Sequence, residues 1–263
     1  MDRQDPDVPV RPGDAYVQSF ARGLAVIRSF NAAAPRQTLT EVAGRTGLTR
    51  AGARRILLTL QTLGYVESDG KLFRLTPRIL DLGFAYLSSM PMWNVAEPEM
   101  EGLVEQVKES CSAAVLEGAD ILYVLRVSTR KIMRNSLGVG SRLPAYCTSM
   151  GRVLLAGLPD AQVLELLRAA PLEGRTRHTL TDPDAVLGKV QQARRQGWCL
   201  VNQELEEGLV SMAAPVLDRA GRTIASINIS GQANRTSARQ MQDTMLAPLR
   251  EAALRISQRL AGA

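Results

Sequence analysis

The chain has 263 residues, of which 45% are hydrophobic and only 4% aromatic, so one or two globular domains with aliphatic cores are expected. Its formal net charge is +6, and the stretch 36–78 holds eight basic and three acidic residues, which indicates a polyanionic partner. Three cysteines without a CxxC spacing and a single histidine, His178, argue against a disulfide framework and a histidine-based metal site. We therefore expect a cytoplasmic protein without a cofactor, and no membrane partner, since no apolar run approaches the roughly 18 residues of a span.

The first 15 residues are polar and contain four aspartates and three prolines. This composition predicts a disordered tail and not a signal peptide, which needs a basic start and an apolar run. From Tyr16 to Phe30 apolar residues then recur at helical spacing, which predicts a first helix with one apolar face.

The stretch after Pro35 has the pattern of two short helices joined by a tight turn. Thr38 with Glu41 three residues later forms a capping box, and it predicts a second helix over 39–45. Gly47 supplies a turn with positive φ, and Thr49 caps a third helix that runs to about Leu63. This is the helix-turn-helix pattern, in which the start of the second of the two helices reads base edges in the major groove of DNA.

A basic hairpin follows the third helix directly. Asp69-Gly70 between two alternating runs is a strong hairpin signal, and a hairpin at this place is a wing that touches phosphate or the minor groove. The basic patch alone could be an ordinary solvated surface, but the order helix, helix-turn-helix, hairpin favours DNA. The predicted DNA-binding residues are Thr38, Thr49, Arg50, Ala51, Arg54, Arg55, Lys71 and Arg74.

Thr76-Pro77 opens a further helix, with proline at the position where its missing N–H costs nothing. It is interpreted as a linker helix and a candidate dimer contact, or else as the last helix of the first domain. The predicted organisation is a tail over 1–15, a winged helix-turn-helix domain over 16–76, a linker over 77–91 and a second domain over 92–263.

Beyond Pro91 helical and strand patterns alternate, which favours an α+β sensor domain with a hairpin-rich sheet. We expect its first helix over 95–110, with Pro98 in the first turn, and a long closing helix over 237–260. Paired strands are expected around Gly118-Ala119-Asp120, a possible third strand over 132–137, and further strands over 198–201, 210–217 and 222–230.

Two places in this domain could bind a small molecule. A loop enters a helix at 145–152, where Thr148 or Ser149 can cap the helix and free N–H groups can bind an anion, although an ordinary capped helix explains the residues equally well. Alternation over 226–230 places polar side chains on one face, which could line a pocket or face solvent, and Ser211 and Met212 could share that face. Candidates to pair with a carboxylate are Arg126, Arg134 and Arg142.

Several separated blocks resemble the IclR family of bacterial transcriptional regulators: RGLAVIRSF, LTEVAGRTGLTRAGARRILLTLQTLGYV and MAAPVLDRAGRTIASINISG. The block GSRLPAYCTSMGRVLLAGLP is similar to the branch that controls the catabolism of aromatic acids through protocatechuate and the β-ketoadipate pathway. The resemblance covers Tyr16 to about Leu260. It implies a winged helix-turn-helix domain joined by a linker helix to a GAF-like effector-binding domain, in dimers or dimers of dimers on a palindromic operator.

The resemblance also implies an effector pocket on the loop from Cys147 to Gly151, on Ser211, and on Asn228 and Ser230. The chain departs from the family at Val201, Asn202 and Gln203, where other members have acidic residues, and at Asn228, where many have serine. The predicted effector-binding residues are Arg134, Cys147, Thr148, Ser149, Met150, Gly151, Ser211, Met212, Asn228 and Ser230.

These features favour a DNA-binding regulator of aromatic-acid catabolism whose effector is a small carboxylic acid such as protocatechuate, 4-hydroxybenzoate or 3-oxoadipate. Alternatives are a regulator of another catabolic operon with a non-aromatic acid, or a second domain that serves only for dimerisation. An enzyme with Cys147 as nucleophile and His178 as base is a further alternative. It is disfavoured because the resemblance explains the Cys147 loop without catalysis.

Overall fold

The computed structural model describes residues 16–89, 92–129 and 137–262. The chain divides into two compact units, with the division between Ser88 and Ser89. The predicted tail over 1–15, nearly all of the possible strand over 132–137 and the candidate Arg134 lie outside the described residues.

The first unit consists of short helices and a small antiparallel sheet with the strand order β1-β3-β2. Its elements are α1 (Gln18–Ser29), β1 (Gln37–Thr38), α2 (Leu39–Thr46), α3 (Arg50–Thr62), β2 (Val66–Ser68), β3 (Leu72–Leu75), a 3-10 turn (Pro77–Ile79) and α4 (Leu80–Ser89). Helix, helix-turn-helix and hairpin thus follow one another as the sequence predicts.

Local capping fixes the turn between α2 and α3. The N–H of Glu41 donates to Thr38 Oγ1 at 3.3 Å, and the N–H of Thr38 donates to the Glu41 carboxylate at 2.7 Å, so the predicted capping box is confirmed. Gly47 ends α2 with φ 66°, a left-handed conformation that glycine adopts without strain. Thr49 Oγ1 accepts the N–H of Gly52 at 3.1 Å and caps α3.

The core of the first unit joins the three helices to the hairpin. Val26 of α1 and Phe30, which follows that helix, pack with Val42 of α2 and Leu57 of α3, and all four are buried. The opposite side of α3 remains exposed, because the apolar residues of the helix recur at helical spacing on one face only.

The second unit is built on one six-stranded antiparallel sheet with the strand order β6-β5-β4-β9-β8-β7. Its elements are α5 (Met92–Val107), β4 (Ser110–Glu117), β5 (Asp120–Val127), β6 (Arg142–Pro144), α6 (Ser149–Leu155), α7 (Asp160–Arg168), α8 (Pro183–Gln196), β7 (Cys199–Asn202), β8 (Leu209–Leu217), β9 (Thr223–Gln232) and α9 (Ala238–Gly262). The expectation of an α+β domain is confirmed.

Helices cover both faces of this sheet. Helices α6, α7 and α8 pack against Ala114, Cys199, Val201 and Ala213 in one buried cluster. Helix α9 packs on the other face: a Cβ atom at Gly231 of β9 would lie 3.4 Å from Cε of Met241 in α9. Helix α5 packs beside α9. The two faces of β9 therefore contact different helices, so the face on which a polar residue of β9 lies determines its neighbours.

One helix and one strand of the second unit differ notably from the prediction. Helix α5 begins at Met92, so Pro98 lies inside the helix and not in its first turn. Strand β6 was not predicted at all; it is short and pairs with the start of β5, where Asp120 lies opposite Pro144. Within the described ranges, no helix is both long and apolar enough to cross a membrane.

Candidate DNA interface and ligand cavity

The start of α3 presents a basic surface. Thr49, Arg50, Ala51 and Arg54 are exposed, whereas Ala53 is buried in the core of the first unit. Arginine offers a planar pair of donors that fits guanine or phosphate. Ala51 carries only a methyl group, which allows the helix to approach the duplex closely.

Two other residues of the predicted set have different surroundings. Arg55 is exposed but lies towards α1, where it borders an apolar groove together with Phe20 and Leu24. Thr38 is half-buried, and its side chain is used in the capping box with Glu41. Their contribution to DNA binding stays a prediction.

The wing is held in shape by its own turn. The carboxylate of Asp69 accepts the N–H groups of Leu72 at 2.8 Å and Lys71 at 3.1 Å, and these bonds lower the pKa of Asp69. Lys71 is exposed at the tip. Arg74 instead pairs with Glu67 across the hairpin, so part of its charge is already neutralised. Lys71 is therefore the better candidate for a phosphate contact.

The second unit holds a narrow cavity between the sheet and the start of α6, which leaves about 30 Å³ for the centre of a water-sized sphere. Its wall combines polar and apolar side chains: Tyr123, Arg126, Leu137, Thr148, Ser149, Met150, Leu205, Leu209, Ser211, Asn228 and Ser230.

A row of residues across three strands forms the floor of this cavity. Arg126 lies opposite Ser112, and Ser112 lies opposite Asn228. The side-chain oxygen of Asn228 accepts the N–H of Ser112 at 3.0 Å, which leaves the NH₂ group of the amide as its donor. The row thus places one cation and one amide donor on the same face of the sheet, on either side of Ser112.

A β-bulge adds a phenol to the same wall. The register between β4 and β5 shifts at Ala113 and Ala114, so that Val124 is an extra residue between the paired positions Tyr123 and Leu125. Tyr123 and Arg126 therefore both line the cavity, although strict alternation would place them on opposite faces. Burial raises the pKa of Tyr123 to about 12 despite the nearby Arg126, so the phenol stays protonated and can donate.

The start of α6 forms the opposite wall. Thr148 Oγ1 accepts the N–H of Gly151 at 3.2 Å and caps the helix, as predicted. The hydroxyl of Ser149 bonds to the hydroxyl of Ser211 at 3.0 Å and links α6 to β8. Cys147 faces the core, and burial raises the pKa of its thiol to about 11.

The structure separates the predicted effector residues into two groups. Those that line the cavity are Thr148, Ser149, Met150, Ser211, Asn228 and Ser230. Cys147 and Gly151 lie behind the cavity wall, and Arg134 is outside the described residues. Met212 is a correction: it pairs with Ile229, whereas its neighbour Ser211 pairs with Ser230, so Met212 lies on the other face of the sheet.

The sequence interpretation missed the apolar part of the wall. Leu137, Leu205 and Leu209 lie in or next to loops, where no periodicity marks their direction. Tyr123 was missed because the bulge changes its face, and Arg126 was only one of three candidate arginines. Arg142, the other described candidate, pairs with Glu117 at 2.6 Å and does not line the cavity.

Comparisons with known proteins match both units. Residues 19–70 match the model of the IclR helix-turn-helix domain, and residues 84–258 match that of the C-terminal region of the bacterial transcriptional regulator IclR. The Pca regulon regulatory protein of Pseudomonas putida is 44% identical over 232 residues, which cover 88% of this chain and 80% of that protein.

Two solved structures extend this likeness to the fold. A transcriptional regulator from Rhodococcus sp. RHA1 superposes with a TM-score of 0.84 at 48% identity, covering 94% of this chain and 99% of that one. An IclR homologue from Microbacterium hydrocarbonoxydans in complex with 4-hydroxybenzoate gives 0.81 at 27% identity, covering 94% and 100%. Both units thus match known proteins in sequence and fold, and the chain belongs to the IclR family of bacterial transcriptional regulators.

Proposed function

We propose that this regulator controls genes for the breakdown of aromatic acids and that a small carboxylic acid in the cavity sets its affinity for operator DNA. The observation that carries the proposal is the row of Arg126 and Asn228 on the cavity floor, beside the phenol of Tyr123. The relative from Pseudomonas putida is named for the Pca regulon, and this name supports the class of target genes. We place the protein in the cytoplasm, together with the DNA it binds.

The cavity matches the chemistry of a hydroxylated aromatic acid. The guanidinium of Arg126 can pair with a carboxylate, and Met150, Leu205 and Leu209 offer apolar surface to a ring. Hydroxyl groups such as that of Ser149 can bond to a ring hydroxyl. The 4-hydroxybenzoate bound by the Microbacterium hydrocarbonoxydans homologue supports this class of ligand.

Titration calorimetry with 4-hydroxybenzoate, protocatechuate and 3-oxoadipate tests the proposal. We expect at least one acid to bind with one site per chain, and methyl 4-hydroxybenzoate, which lacks the charge, to bind much more weakly. Preference for 3-oxoadipate over both ring compounds would favour a non-aromatic effector. Lack of binding by these acids and by a wider panel of organic acids would favour a domain that serves only for dimerisation.

A regulatory and not a catalytic role is proposed for the second unit. Burial disfavours the thiolate of Cys147 and so opposes a nucleophile. His178, the only histidine, is exposed, and its ring bonds to the side chain of Arg177 at 3.2 Å. Cys147→Ala is accordingly expected to leave the response to the acid unchanged.

The acid acts by binding one arrangement of the protein better than another. A differential affinity of about 1–3 kcal/mol between the DNA-competent and the DNA-incompetent state gives a useful switch. Its effect is read out as the shift in operator affinity at saturating acid.

Arg50→Ala and Arg54→Ala are each expected to weaken binding to a specific duplex by about 1–3 kcal/mol, because each removes a fork of donors from the major groove. Fluorescence anisotropy measures this with a duplex from the region upstream of the regulator's own gene and with a scrambled duplex. Arg195→Ala, an exposed arginine of α8, is the matched control and should change neither affinity. Equal losses on both duplexes would mean that Arg50 and Arg54 contact only phosphate.

Lys71→Ala is expected to weaken binding to both duplexes alike. Lysine at the wing tip acts as a point charge on phosphate, so its loss should also reduce the slope of log K against log salt by about one unit. A series of anisotropy titrations at increasing salt measures the slope. Loss confined to the specific duplex would contradict this role and would place Lys71 at a base edge.

We also propose that the regulator acts as a homodimer through the first unit, with α4 as the linker helix. Large apolar side chains are exposed there on α4, on α1 and at the residue before α1, where contact with a second copy would remove them from water. They are Val17, Phe20, Leu24, Leu80, Leu82, Phe84 and Tyr86. A dimer would present two α3 helices to the two half-sites of a palindromic operator.

Phe84→Glu is expected to shift the protein from dimer to monomer at micromolar concentration, because a charge would be buried in the apolar contact. Analytical ultracentrifugation measures the mass, and anisotropy should show weaker operator binding at unchanged affinity for the acid. Leu254→Glu places the same charge on an exposed leucine of α9 and is the control. A Phe84→Glu variant that remains dimeric would remove α4 from the proposed contact.

A further inference from the structure

A buried ion pair lies directly behind the ligand cavity. The guanidinium of Arg152 forms two parallel bonds to the Glu204 carboxylate, at 2.7 Å from Nη1 and 2.5 Å from Nη2. Its Nε donates to the carbonyl oxygen of Tyr146 at 2.9 Å. Only 1% of the Arg152 side chain and 12% of the Glu204 side chain are exposed.

Neither partner touches the cavity, but each belongs to a segment that does. Arg152 follows Ser149 and Met150 on α6, and Glu204 directly precedes Leu205 in the loop between β7 and β8. The pair therefore joins the polar wall at the start of α6 to the apolar wall around Leu205 and Leu209.

A third segment, 173–180, forms hydrogen bonds to the chain close to both partners of the ion pair. The hydroxyls of Thr176 and Thr179 donate to the carbonyl oxygens of Gln203 and Glu204, both at 2.6 Å. The phenol of Tyr146 donates to the carbonyl oxygen of Glu173 at 2.6 Å. The 173–180 segment thus bonds to the chain on both sides of the ion pair, and Leu180 N–H also approaches the Glu204 carboxylate at 3.4 Å.

Stability alone does not explain such a pair. Removing two charges from water costs about as much free energy as their attraction returns, and well-packed apolar residues of similar size often replace a buried pair without loss of stability. A planar fork of donors on a carboxylate does fix distance and orientation, which apolar contacts do not. The pair is thus suited to hold the two cavity walls at a set separation.

We infer that Arg152 and Glu204 are positioning residues for effector binding: they act through Ser149, Met150 and Leu205, and they touch no ligand themselves. This inference rests on the proposed function, because it requires that the cavity binds an acid. It assigns the selectivity of the cavity for ring size and shape to an ion pair outside the cavity wall. Supporting contacts of this kind decide whether a site is held to its working geometry or is too loose.

The test is the double variant Arg152→Met with Glu204→Leu in the full chain. We expect thermal unfolding close to that of the wild type, unchanged binding to the upstream duplex without acid, and an affinity for 4-hydroxybenzoate lower by about tenfold or more. Discrimination between 4-hydroxybenzoate and benzoate should decrease as well, because a looser wall tolerates both. Calorimetry gives both affinities.

An exposed ion pair supplies the matched control. Arg168 and Asp184 pair at 3.2 Å on α7 and α8, away from the cavity wall, and both side chains are more than half exposed. Arg168→Met with Asp184→Leu makes the same chemical change and should leave acid affinity and discrimination at the wild-type values. The conservative variant Arg152→Lys keeps the charge but loses the fork, and it should fall between the wild type and the double variant.

The outcomes separate the two proposals. Wild-type protein that binds none of the acids contradicts the proposed function, and the positioning role with it. Wild-type protein that binds 4-hydroxybenzoate, beside a folded double variant with the same affinity and discrimination, contradicts the positioning role alone. If the double variant fails to fold, Arg152→Lys decides, because wild-type affinity in that variant would show that the fork is not needed.

Discussion

Gly151→Ala is expected to destabilise the second unit by at least about 3 kcal/mol and to abolish binding of the acid. A methyl group at Gly151 would lie 2.2 Å from the carbonyl oxygen of Ala145 and 2.3 Å from its Cα, so it would meet backbone and not a flexible side chain. Ala145 cannot withdraw, since its N–H donates to Ala119 at 2.9 Å. Helix α6 would therefore have to move away from β6, together with Ser149 and the cavity wall.

Scanning calorimetry of the full chain measures the effect. The transition of the second unit is the one that 4-hydroxybenzoate raises in the wild type, because a ligand stabilises only the unit that binds it. In Gly151→Ala that transition should fall by at least about 6 °C and should no longer respond to the acid.

The same substitution in another helix of the unit provides the control. Gly188 lies in α8, and a methyl group there would have no neighbour within 4 Å. Gly188→Ala should leave the transition unchanged or raise it, since alanine has the higher helix propensity. A Gly151→Ala variant as stable as Gly188→Ala would mean that α6 is not held against Ala145 as tightly as the distances indicate.

The first unit was largely predictable because its signals are local. The capping box of Thr38 and Glu41, the positive φ at Gly47 and the Asp69-Gly70 turn each depend on residues a few positions apart. Such signals survive in any tertiary setting, so the helix-turn-helix and the wing could be read from the sequence. The basic residues on α3 followed from the same helical spacing that buries Leu57.

The cavity was only partly predictable because its lining depends on contacts between distant strands. Alternation correctly grouped Asn228 with Ser230, but Met212 was placed with them because the register of β8 was unknown. One extra residue at Val124 brings Tyr123 and Arg126 to one face, and no local pattern signals this bulge.

The Arg152–Glu204 pair could not have been found from the sequence at all. Its partners are 52 positions apart, and both residue types usually lie at the surface. Their burial becomes visible only when the loop after β7 is placed against α6. Long-range polar contacts are thus the part of the site that the residue pattern does not predict.

Arg126→Gln is expected to reduce affinity for 4-hydroxybenzoate and protocatechuate by at least about 30-fold. Removing one partner of a hydrogen-bonded charge pair costs about 2–5 kcal/mol, and 1.4 kcal/mol corresponds to a factor of ten. Glutamine keeps an N–H donor on a shorter side chain and loses the charge, and the neutral ester controls for the loss of length. Affinity for methyl 4-hydroxybenzoate, which has no charge, should hardly change.

Arg142→Gln is the matched control for this substitution. Arg142 lies on β6 in the same sheet, but it pairs with Glu117 and does not line the cavity, so acid affinity should stay at the wild-type value. Calorimetry on wild type, Arg126→Gln and Arg142→Gln with acid and ester gives six affinities. Only the affinity of Arg126→Gln for the acid should differ from the corresponding wild-type affinity.

The opposite pattern would identify another cation. If Arg126→Gln binds the acid as tightly as the wild type does, the carboxylate is not held by the Arg126–Ser112–Asn228 row, and Arg134→Gln becomes the decisive variant. If Arg126→Gln loses acid and ester equally, the arginine shapes the cavity without pairing with the charge. Selective loss of the acid is therefore the result that ties Arg126 to the carboxylate and, through it, the cavity to an organic acid effector.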